Sequence, residues 1–424
     1  MHIKMLYIVY QVNNIFLSRG YIRERMVSMD VAKFCQENCV ERRGTATLKW
    51  DSLQEIFGDP DLLAVWVADM EIKSPASARE ALAKRVEHGI FGYGKMEDSY
   101  FDAFFAWQKE HHGVDVAKEN VRFATGVVGS LYAAVKAYTK EEDAVIICPP
   151  VYYPFYDAIL NTNRKLVTCE LDNNDGYYTL NFEEFEKEIV ENDVKMFILC
   201  SPHNPVSRVW SEEELDKMFD ICRRHGVLVL ADEIHQDFTY EKKFVSSVNV
   251  RGGDYKDILI ILNAASKTFN LAGLIHSHVV IYDEKLMEAY DNYIKGNGAP
   301  EVNIMGVTAV EGAYRGGAEW LENVKAVIQH NYNYMKETYA RELPKVIVTP
   351  LEGTYLSWTD LRGYLPGEEV AEFVQKQCGL ACDVGEWFSL KAPGFIRINL
   401  ATDPKNIETA VNRIVEKIKE KVGK

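Results

Sequence analysis

Continuous apolar segments that alternate with amphipathic helical patterns constrain the fold of this chain more than any other feature. The apolar segments are DAVIICPP (143–150), KMFILCSP (195–202), VLVLADE (227–233) and DILIILNAAS (257–266). Helical patterns include VGSLYAAVKAYT (128–139) and SEEELDKMFDICRRHG (211–226), where a serine cap precedes a glutamate by three residues. Strands that are apolar throughout are typical of a parallel sheet covered by helices on both faces. The sequence therefore predicts a large α/β domain with a mainly parallel sheet.

The C-terminal third has a different pattern and predicts a smaller α+β domain. One long helix is predicted near 312–342, and short strand patterns then alternate with helices at 367–378 and 404–422. Residues 30–60 have no place in the central sheet and are predicted to join the small domain. The predicted domains are an N-terminal part of the small domain at 30–60, a large domain at 61–311 and a C-terminal small domain at 312–424.

The first residues form a separate N-terminal extension at 1–29, for which disorder and a non-native origin are both open. Its segment MLYIVYQVNNIFL (5–17) is interrupted by polar residues and is too short to span a bilayer. Met26 and Met29 are alternative natural starts. No other stretch approaches a transmembrane run, so we expect a cytoplasmic protein that has no membrane partner.

Charge and cysteine usage argue against two further classes of function. With 48 basic and 63 acidic side chains the formal net charge is −15, whereas nucleic-acid binding needs a basic face. The eight cysteines are dispersed, and the two Cys-x-x-x-Cys pairs lie at opposite ends of the sequence. Zinc sites usually have tighter pairs with partners nearby. We expect buried reduced thiols, no metal site and no nucleic-acid partner.

Polar residues follow four of the predicted strands, at the edge where α/β sheets bind ligands. The segments are ATGVVGS (124–130), SPHNP (201–205), ADEIHQD (231–237) and NAASKTFNLAG (263–273). Taken singly, each has an ordinary structural alternative, such as a plain turn, a turn residue at Asn204 or a helix cap at Asp232. A desolvated lysine such as Lys267, however, has a lowered pKa and is able to form a Schiff base.

The glycine-bearing turn favours phosphate binding but not a nucleotide site. Gly126 and Gly129 would let the backbone approach a phosphate, and the start of the following helix would bind it. The segment lacks both the full Gly-x-Gly-x-x-Gly pattern and a P-loop lysine, so nucleotide binding is excluded.

The order of these motifs resembles pyridoxal-phosphate (PLP) enzymes with the aspartate-aminotransferase fold, fold type I. Asn204 is followed by Asp232 about 28 residues later and by Ser266-Lys267 about 35 residues after that. The resemblance extends from about Arg42 to the end and is closest to the C–S lyases, the cystathionine β-lyase (MalY/PatB-type) branch of the class I/II aminotransferases. The matching segments are RRGTATLKWD, WVADME, FGYG, PPVYYPF, SPHNP, ADEIHQD, SKTFNLAG and FIRINLA.

The resemblance implies a role for each polar residue around the cofactor ring. Lys267 would hold PLP as a Schiff base and move the substrate's Cα proton. Asp232 would pair with the pyridinium nitrogen, which keeps the ring an electron acceptor. Asn204 and His235 would donate to the ring's 3′-oxygen, and Tyr152 would stack on the ring.

The resemblance also implies how the cofactor phosphate is held. Gly126, Val127 and Val128 at the helix start would bind it, with help from Ser266. Tyr93 matches a tyrosine that reaches the phosphate across a dimer interface, so the resemblance implies a homodimer whose active sites are shared.

For the substrate, the resemblance implies that Arg397 binds the carboxylate as a bidentate fork. A structural salt bridge is the alternative role for Arg397, and Tyr153 is an alternative to Tyr152 as the stacking residue. Asp69 and Lys49 are either structural or part of the site entrance, so both are left outside the catalytic set.

The sequence departs from the family pattern at three places. Val206 and Ser207 replace a small hydroxyl residue and a glycine, and Glu71 and Ile72 replace an Asp-Phe pair. Ile275 stands where many aminotransferases have a phosphate-binding arginine. We expect these changes to affect substrate choice and phosphate contacts more than the fold.

Together these features predict a PLP-dependent lyase that acts on a small amino-acid substrate. It would eliminate a thiol from cystathionine or another L-cysteine S-conjugate and leave pyruvate and ammonia. Two alternatives stay open: an aminotransferase acting on a small L-amino acid, and a non-catalytic PLP-binding regulatory protein.

Overall fold

The structure is a computed structural model that describes residues 29–423. The predicted N-terminal extension, including the start at Met26, lies outside the described residues except for Met29. The α-helices are α1 Val31–Asn38, α2 Leu48–Asp51, α3 Leu53–Phe57, α4 Ala76–His88, α5 Asp98–Trp107, α6 Val127–Tyr138, α7 Pro154–Leu160, α8 Phe182–Glu191, α9 Glu212–Arg224, α10 Ala265–Thr268, α11 Glu284–Gly296, α12 Ile304–Gly316, α13 Ala318–Glu342, α14 Gly367–Glu372 and α15 Pro404–Val422.

The strands form one large sheet, a smaller one and two short pairs. In chain order they are β1 Leu63–Ala64, β2 Val121–Ala124, β3 Ala144–Ile147, β4 Lys165–Thr168, β5 Asp172–Asn174, β6 Tyr177–Thr179, β7 Val194–Cys200, β8 Leu228–Asp232, β9 Leu259–Asn263, β10 Ser277–Ile281, β11 Ile347–Val348, β12 Leu356–Asp360, β13 Leu380–Ala381, β14 Asp383–Val384 and β15 Phe395–Asn399.

The large sheet has seven strands in the order β2-β10-β9-β8-β7-β3-β4. The five neighbours from β9 to β4 are parallel, and β10 runs antiparallel to both β9 and β2. Successive side chains of β3 enter different cores: Ile146 packs in one, and Val145 and Ile147 pack in the other. Both faces are therefore covered, which confirms the predicted mainly parallel sheet and explains why its strands are apolar throughout.

The C-terminal residues build an antiparallel sheet in the order β11-β12-β15-β14. A short parallel pair joins Leu63–Ala64 to Leu380–Ala381, so the chain just after residue 60 contacts this second region. Helix α1 also packs against α13. The domain boundaries given above remain a prediction.

The prediction of one helix over 312–342 is wrong, because Gly317 separates two helices, α12 and α13. A Cβ atom added at Gly317 would lie 2.5 Å from the ring of Phe269 and 2.6 Å from the carbonyl oxygen of Ala313. Only glycine fits this close approach. The helix predicted at 367–378 is α-helical as far as Glu372 and continues as a π-helical turn.

Within residues 29–423, no helix combines the length and the hydropathy that crossing a membrane requires. The same part of the chain contains no group of three or more His, Cys, Asp or Glu side chains arranged to hold a metal ion.

Candidate active site

The candidate site is a pocket of about 460 Å³ at the carboxyl ends of the parallel strands. Strands β7, β8 and β9 are hydrogen-bonded neighbours, so the residues that follow them meet at one edge of the sheet. Asn204, Asp232 and Lys267 come together in this way, although they are far apart in the sequence. Every predicted site residue lines the pocket except Tyr93.

Lys267 lies on the short helix α10, directly after β9. Its Nζ donates a hydrogen bond of 2.8 Å to the carbonyl oxygen of Ala68. Desolvation lowers the pKa of Lys267 to about 8, while the charge of Asp69 opposes this shift and that of Arg397 reinforces it. A substantial fraction of the amine is therefore neutral near pH 7 to 8 and available as a nucleophile or a base.

Asp232 ends strand β8, and within residues 29–423 its buried carboxylate accepts a single hydrogen bond, from the N–H of Ile234 at 3.1 Å. Burial raises the pKa of Asp232 to about 7 against the opposing effects of that N–H and of Lys267. A carboxylate in this position gains stability from a cation placed beside it. The protonated ring nitrogen of PLP is such a cation.

His235 is buried in the same pocket, and its Nδ1 has no hydrogen-bond partner in the described part of the chain. Desolvation, reinforced by the charges of Lys267 and Arg397, holds its pKa well below the ordinary value. The imidazole is therefore neutral and has one ring nitrogen to offer to a bound group.

Arg397 is held by several contacts rather than left free. Asn204 Oδ1 accepts a hydrogen bond of 2.9 Å from Nη1, and the carbonyl oxygen of Trp66 accepts one of 3.1 Å from Nη2. Nη2 also pairs with Asp383, and the guanidinium lies 4.9 Å from the ring of Phe388. These contacts fix the direction of the guanidinium within the pocket.

Asp383 is the site residue that the sequence reasoning missed. It is 1 % exposed, lines the pocket and lies opposite Arg397 in the pairing of β14 with β15. Burial raises the pKa of Asp383 to about 6, although Arg397 and Lys49 oppose the shift. The signal that could have found it is the one used for Asp232: a carboxylate within an apolar strand pattern, here LACDV.

The start of α6 provides a cradle for a phosphate. The N–H groups of Val127, Val128 and Gly129 have no acceptor among the described residues, as is usual in the first turn of a helix. Gly126 has a positive φ of 95°, and a Cβ added there would meet no atom within 4 Å. Its own N–H is held by Ser277 Oγ at 3.0 Å. The free N–H groups and the positive end of the helix dipole suit a dianion.

The remaining predicted residues fall into two groups. Tyr152 and Ser266 line the pocket, as does Tyr153, so both alternatives for the stacking tyrosine lie at the site. Ile275, in place of an arginine, also lines it and has a left-handed φ of 48°. Tyr93 lies outside the pocket and is 90 % exposed. Its contact with the phosphate across an interface remains a prediction.

Lys49 and Asp69 belong to a charged network behind the pocket, not to its lining. Lys49 is fully buried, and its Nζ lies 2.8 Å from Glu71 Oε1, which also accepts a hydrogen bond from Trp50 at 3.1 Å. Arg42 binds Asp69 through two hydrogen bonds of 2.7 Å. The network anchors residues 66–71, whose backbone supplies the carbonyl oxygens that meet Lys267 and Arg397.

The pocket thus offers what PLP requires: an amine of lowered pKa, a buried carboxylate, a neutral imidazole and a cradle of free N–H groups.

Comparison with known proteins gives matches along almost the whole described chain. Residues 67–414 match the family "Aminotransferase class I and II". Cystathionine beta-lyase PatB of Bacillus subtilis is 37 % identical over 376 residues, which cover 88 % of this chain and 97 % of that protein. Among solved structures, cystalysin of Treponema denticola, which contains PLP, has a TM-score of 0.86 at 32 % identity and covers 90 % of this chain and 98 % of its own. The PLP-bound C–S lyase of Staphylococcus hominis has a TM-score of 0.84 at 29 % identity, with coverage of 90 % and 97 %.

Proposed function

This chain belongs to the aminotransferase class I and II family, and from that premise we propose that it is a PLP-dependent C–S β-lyase. It cleaves cystathionine or another L-cysteine S-conjugate to a thiol, pyruvate and ammonia. The relatives named cystathionine β-lyase and C–S lyase support this activity, and the solved structures of cystalysin and of the C–S lyase hold PLP. The predicted family, fold and cofactor are confirmed.

The observation that carries the proposal is that Lys267, Asp232 and Arg397 share one pocket. When bound, PLP supplies an aldehyde that reacts with amines and a ring that accepts electrons from the substrate's Cα. Lys267 would hold the aldehyde carbon, Asp232 the ring nitrogen and the start of α6 the phosphate.

The side chains of this pocket then act on the substrate in a defined order. Arg397 binds the α-carboxylate, which fixes the position of Cα. Nζ of Lys267 would take the Cα proton of the bound substrate, and its lowered pKa suits this transfer near neutral pH. The carboxylate of Asp232 would hold a proton at the ring nitrogen.

The electron pair left by the Cα proton expels the β-substituent as a thiolate, with cleavage of the carbon–sulfur bond. The three-carbon unit that remains takes up water and gives pyruvate and ammonia. No oxidant or reductant is consumed, because the elimination and the hydrolysis together leave the overall oxidation state of the substrate unchanged.

We also propose a homodimer with shared active sites, located in the cytoplasm. The segment around Tyr93 supports the dimer, since Ile90, Phe91 and Tyr93 are all exposed although they are large and apolar or aromatic. Seven of the eight cysteines are buried as free thiols and Cys39 is partly buried, which suits a reducing compartment.

The decisive experiment measures products from two substrates. The loaded enzyme is incubated with L-cystathionine, and separately with L-alanine plus a keto acid. We expect thiol, pyruvate and ammonia in equal amounts from the first and at most slow amino transfer from the second. Rapid amino transfer with no thiol released would identify an aminotransferase, and no turnover of either substrate would favour a regulatory protein.

A further inference from the structure

A second depression, of about 650 Å³, opens directly beside the active-site pocket. Trp66 and Tyr153 line both cavities, so the two are adjacent. We name this depression the side groove and define it by its large apolar and aromatic lining residues, which are Trp66, Tyr153, Leu160, Leu166, Trp387 and Leu390.

The loop that follows β14 presents the exposed side chains of the groove from a fixed backbone. The carbonyl oxygen of Phe388 accepts hydrogen bonds from the N–H of Val151 at 3.1 Å and the hydroxyl of Tyr156 at 2.9 Å. Phe388 is fully buried, whereas Trp387 is 37 % exposed and Leu390 is 92 % exposed. The loop is anchored, and yet two large apolar side chains face outward.

Aromatic rings lead from the active-site pocket into the groove. Tyr152 lies 5.2 Å from Tyr153, which in turn lies 6.2 Å from Trp387, measured between ring centroids. Phe57 bridges the other wall, 6.4 Å from Trp387 and 5.2 Å from Trp66. A group that leaves the pocket along this path stays in contact with apolar surface.

The charged residues that line the groove, Asp157 and Glu386, are both acidic. Glu386 Oε2 is buried and has no hydrogen-bond partner among the described residues. An anionic group would therefore meet unbalanced negative charge in the groove, whereas an apolar group without negative charge would not.

The position of Arg397 sets which part of a substrate reaches the groove. Its guanidinium donates to the carbonyl oxygen of Trp66, and Trp66 is one of the residues that line the groove. A cysteine conjugate held by its α-carboxylate at Arg397 therefore has the groove next to it. The sulfur substituent is the only part of the conjugate not used by Arg397, Lys267 and the cofactor.

We infer that the side groove is the binding subsite for the sulfur substituent, and that the preferred conjugates carry an apolar substituent without negative charge. This inference rests on the proposed lyase function and specifies its substrate class. Aromatic and large aliphatic thioethers of cysteine belong to that class, and conjugates whose substituent has a net negative charge do not. Cystathionine, whose distal carboxylate is balanced by an ammonium group, lies between the two.

The test compares kcat/KM for thiol release from S-benzyl-, S-methyl- and S-carboxymethyl-L-cysteine by the loaded enzyme. We expect the benzyl conjugate to exceed the methyl conjugate by about tenfold or more, the scale of discrimination typical of an apolar pocket. The carboxymethyl conjugate should fall below the methyl conjugate.

Groove variants identify the residues responsible. Trp387→Ala should lower the benzyl-to-methyl ratio by roughly tenfold, and Leu390→Ser, at a side chain too exposed to support the core, should lower it in the same direction. Glu386→Gln should raise the carboxymethyl-to-methyl ratio severalfold. Val190→Ser and Glu191→Gln, both exposed on α8, are the matched controls and should leave both ratios unchanged.

The possible outcomes distinguish a failure of the proposed subsite from a failure of the proposed lyase function. Thiol release from all three conjugates with equal kcat/KM, or ratios that the groove variants do not change, would overturn the subsite but not the lyase. No thiol from any of the three conjugates or from L-cystathionine would overturn the lyase itself. Conversion of a dimer to a monomer by Trp387→Ala, seen by size-exclusion chromatography, would make the groove an interface between copies and overturn the subsite.

Discussion

Asp383 and Arg397 form an ion pair in which both side chains are almost completely buried, on neighbouring strands of the small sheet. The pair lies in the pocket wall where the substrate carboxylate is proposed to bind. The carboxylate of Asp383 and the α-carboxylate of the substrate would thus compete for the guanidinium of Arg397. The charge state of Asp383 should therefore control how strongly Arg397 attracts a substrate.

The raised pKa of Asp383, about 6, predicts a pH-dependent KM. Below that pH the carboxyl is protonated and leaves Arg397 free of a competing charge, while above it the carboxylate competes with the substrate. The wild-type KM should rise between pH 5.5 and 7.5. Asp383→Asn should remove this rise and lower KM at pH 7.5 by roughly tenfold, the equivalent of one hydrogen bond to a charged group. A higher KM in the variant would show instead that Asp383 orients Arg397 for binding.

The raised pKa of Asp232 predicts how the stability of the cofactor-free protein depends on pH. Burial holds this pKa near 7, against 3.8 for an ordinary aspartate, so the folded state retains a proton that the unfolded chain has lost. The free energy of unfolding should therefore fall as pH rises from about 4 to about 7.

Asp232→Asn should remove this loss and raise the free energy of unfolding at pH 7.5 by up to about 4 kcal/mol. Near pH 4 the two proteins should be similar. Urea denaturation at both pH values measures the difference, and Asp172→Asn, on an exposed strand, is the control. The loaded variant should nevertheless lose most of its turnover, because the ring nitrogen loses its partner. Equal stability at pH 7.5 would contradict the raised pKa.

The burial of Lys49 predicts that substitution of Glu71 will lower the free energy of unfolding by a large amount. Glu71→Ala would leave the ammonium of Lys49, which is fully buried, without the carboxylate 2.8 Å away. We expect a loss of about 3–5 kcal/mol in the free energy of unfolding. Glu97→Ala, which breaks an exposed pair with Lys95, should cost at most about 1 kcal/mol. Similar losses in the two variants would contradict the structural role of the Lys49 network.

Lys267 is expected to be the one lysine that borohydride links to the cofactor. Lys267→Ala should lower kcat by about 10²–10⁴-fold or more, because both the nucleophile and the base are lost. Lys140→Ala, at an exposed lysine just after α6, should leave kcat unchanged. Peptide mapping of the reduced enzyme identifies the labelled residue, and a label on any other lysine would refute the assignment.

The residues at the ends of parallel strands were predictable from sequence, because a parallel sheet brings those ends together. Asn204, Asp232 and Lys267 followed from this rule, and the pocket contains all three. The pairing of Asp383 with Arg397 was not predictable, because it depends on the register between β14 and β15.

Close packing between distant segments was the second property that the sequence did not reveal. The break between α12 and α13 at Gly317 lies against the ring of Phe269, and the buried Lys49 pairs with Glu71. Helical periodicity carries no information on either contact. The capping box of Ser211 and Glu214 was local, and the structure contains it as predicted.

The proposed homodimer, in which Tyr93 reaches the pocket of the partner, predicts that active sites are restored when two inactive chains are mixed. Each chain would supply Lys267 to its own pocket and Tyr93 to the pocket of its partner. In a hybrid of Lys267→Ala and Tyr93→Ala chains, the pocket with intact Lys267 would also receive an intact Tyr93. Random mixing should then recover about a quarter of wild-type activity, because half of the dimers are hybrids with one complete site each.

The matched control for this experiment is a mixture of Lys267→Ala and Asp232→Ala chains. These two residues line the same pocket of one chain, so every pocket in the hybrid would lack one of them and no activity should return. Recovery in the first mixture alone, with hybrids quantified by differential tags, would place Tyr93 across the interface. If hybrids form and the first mixture stays as inactive as the control, Tyr93 serves only its own chain and the shared site is refuted.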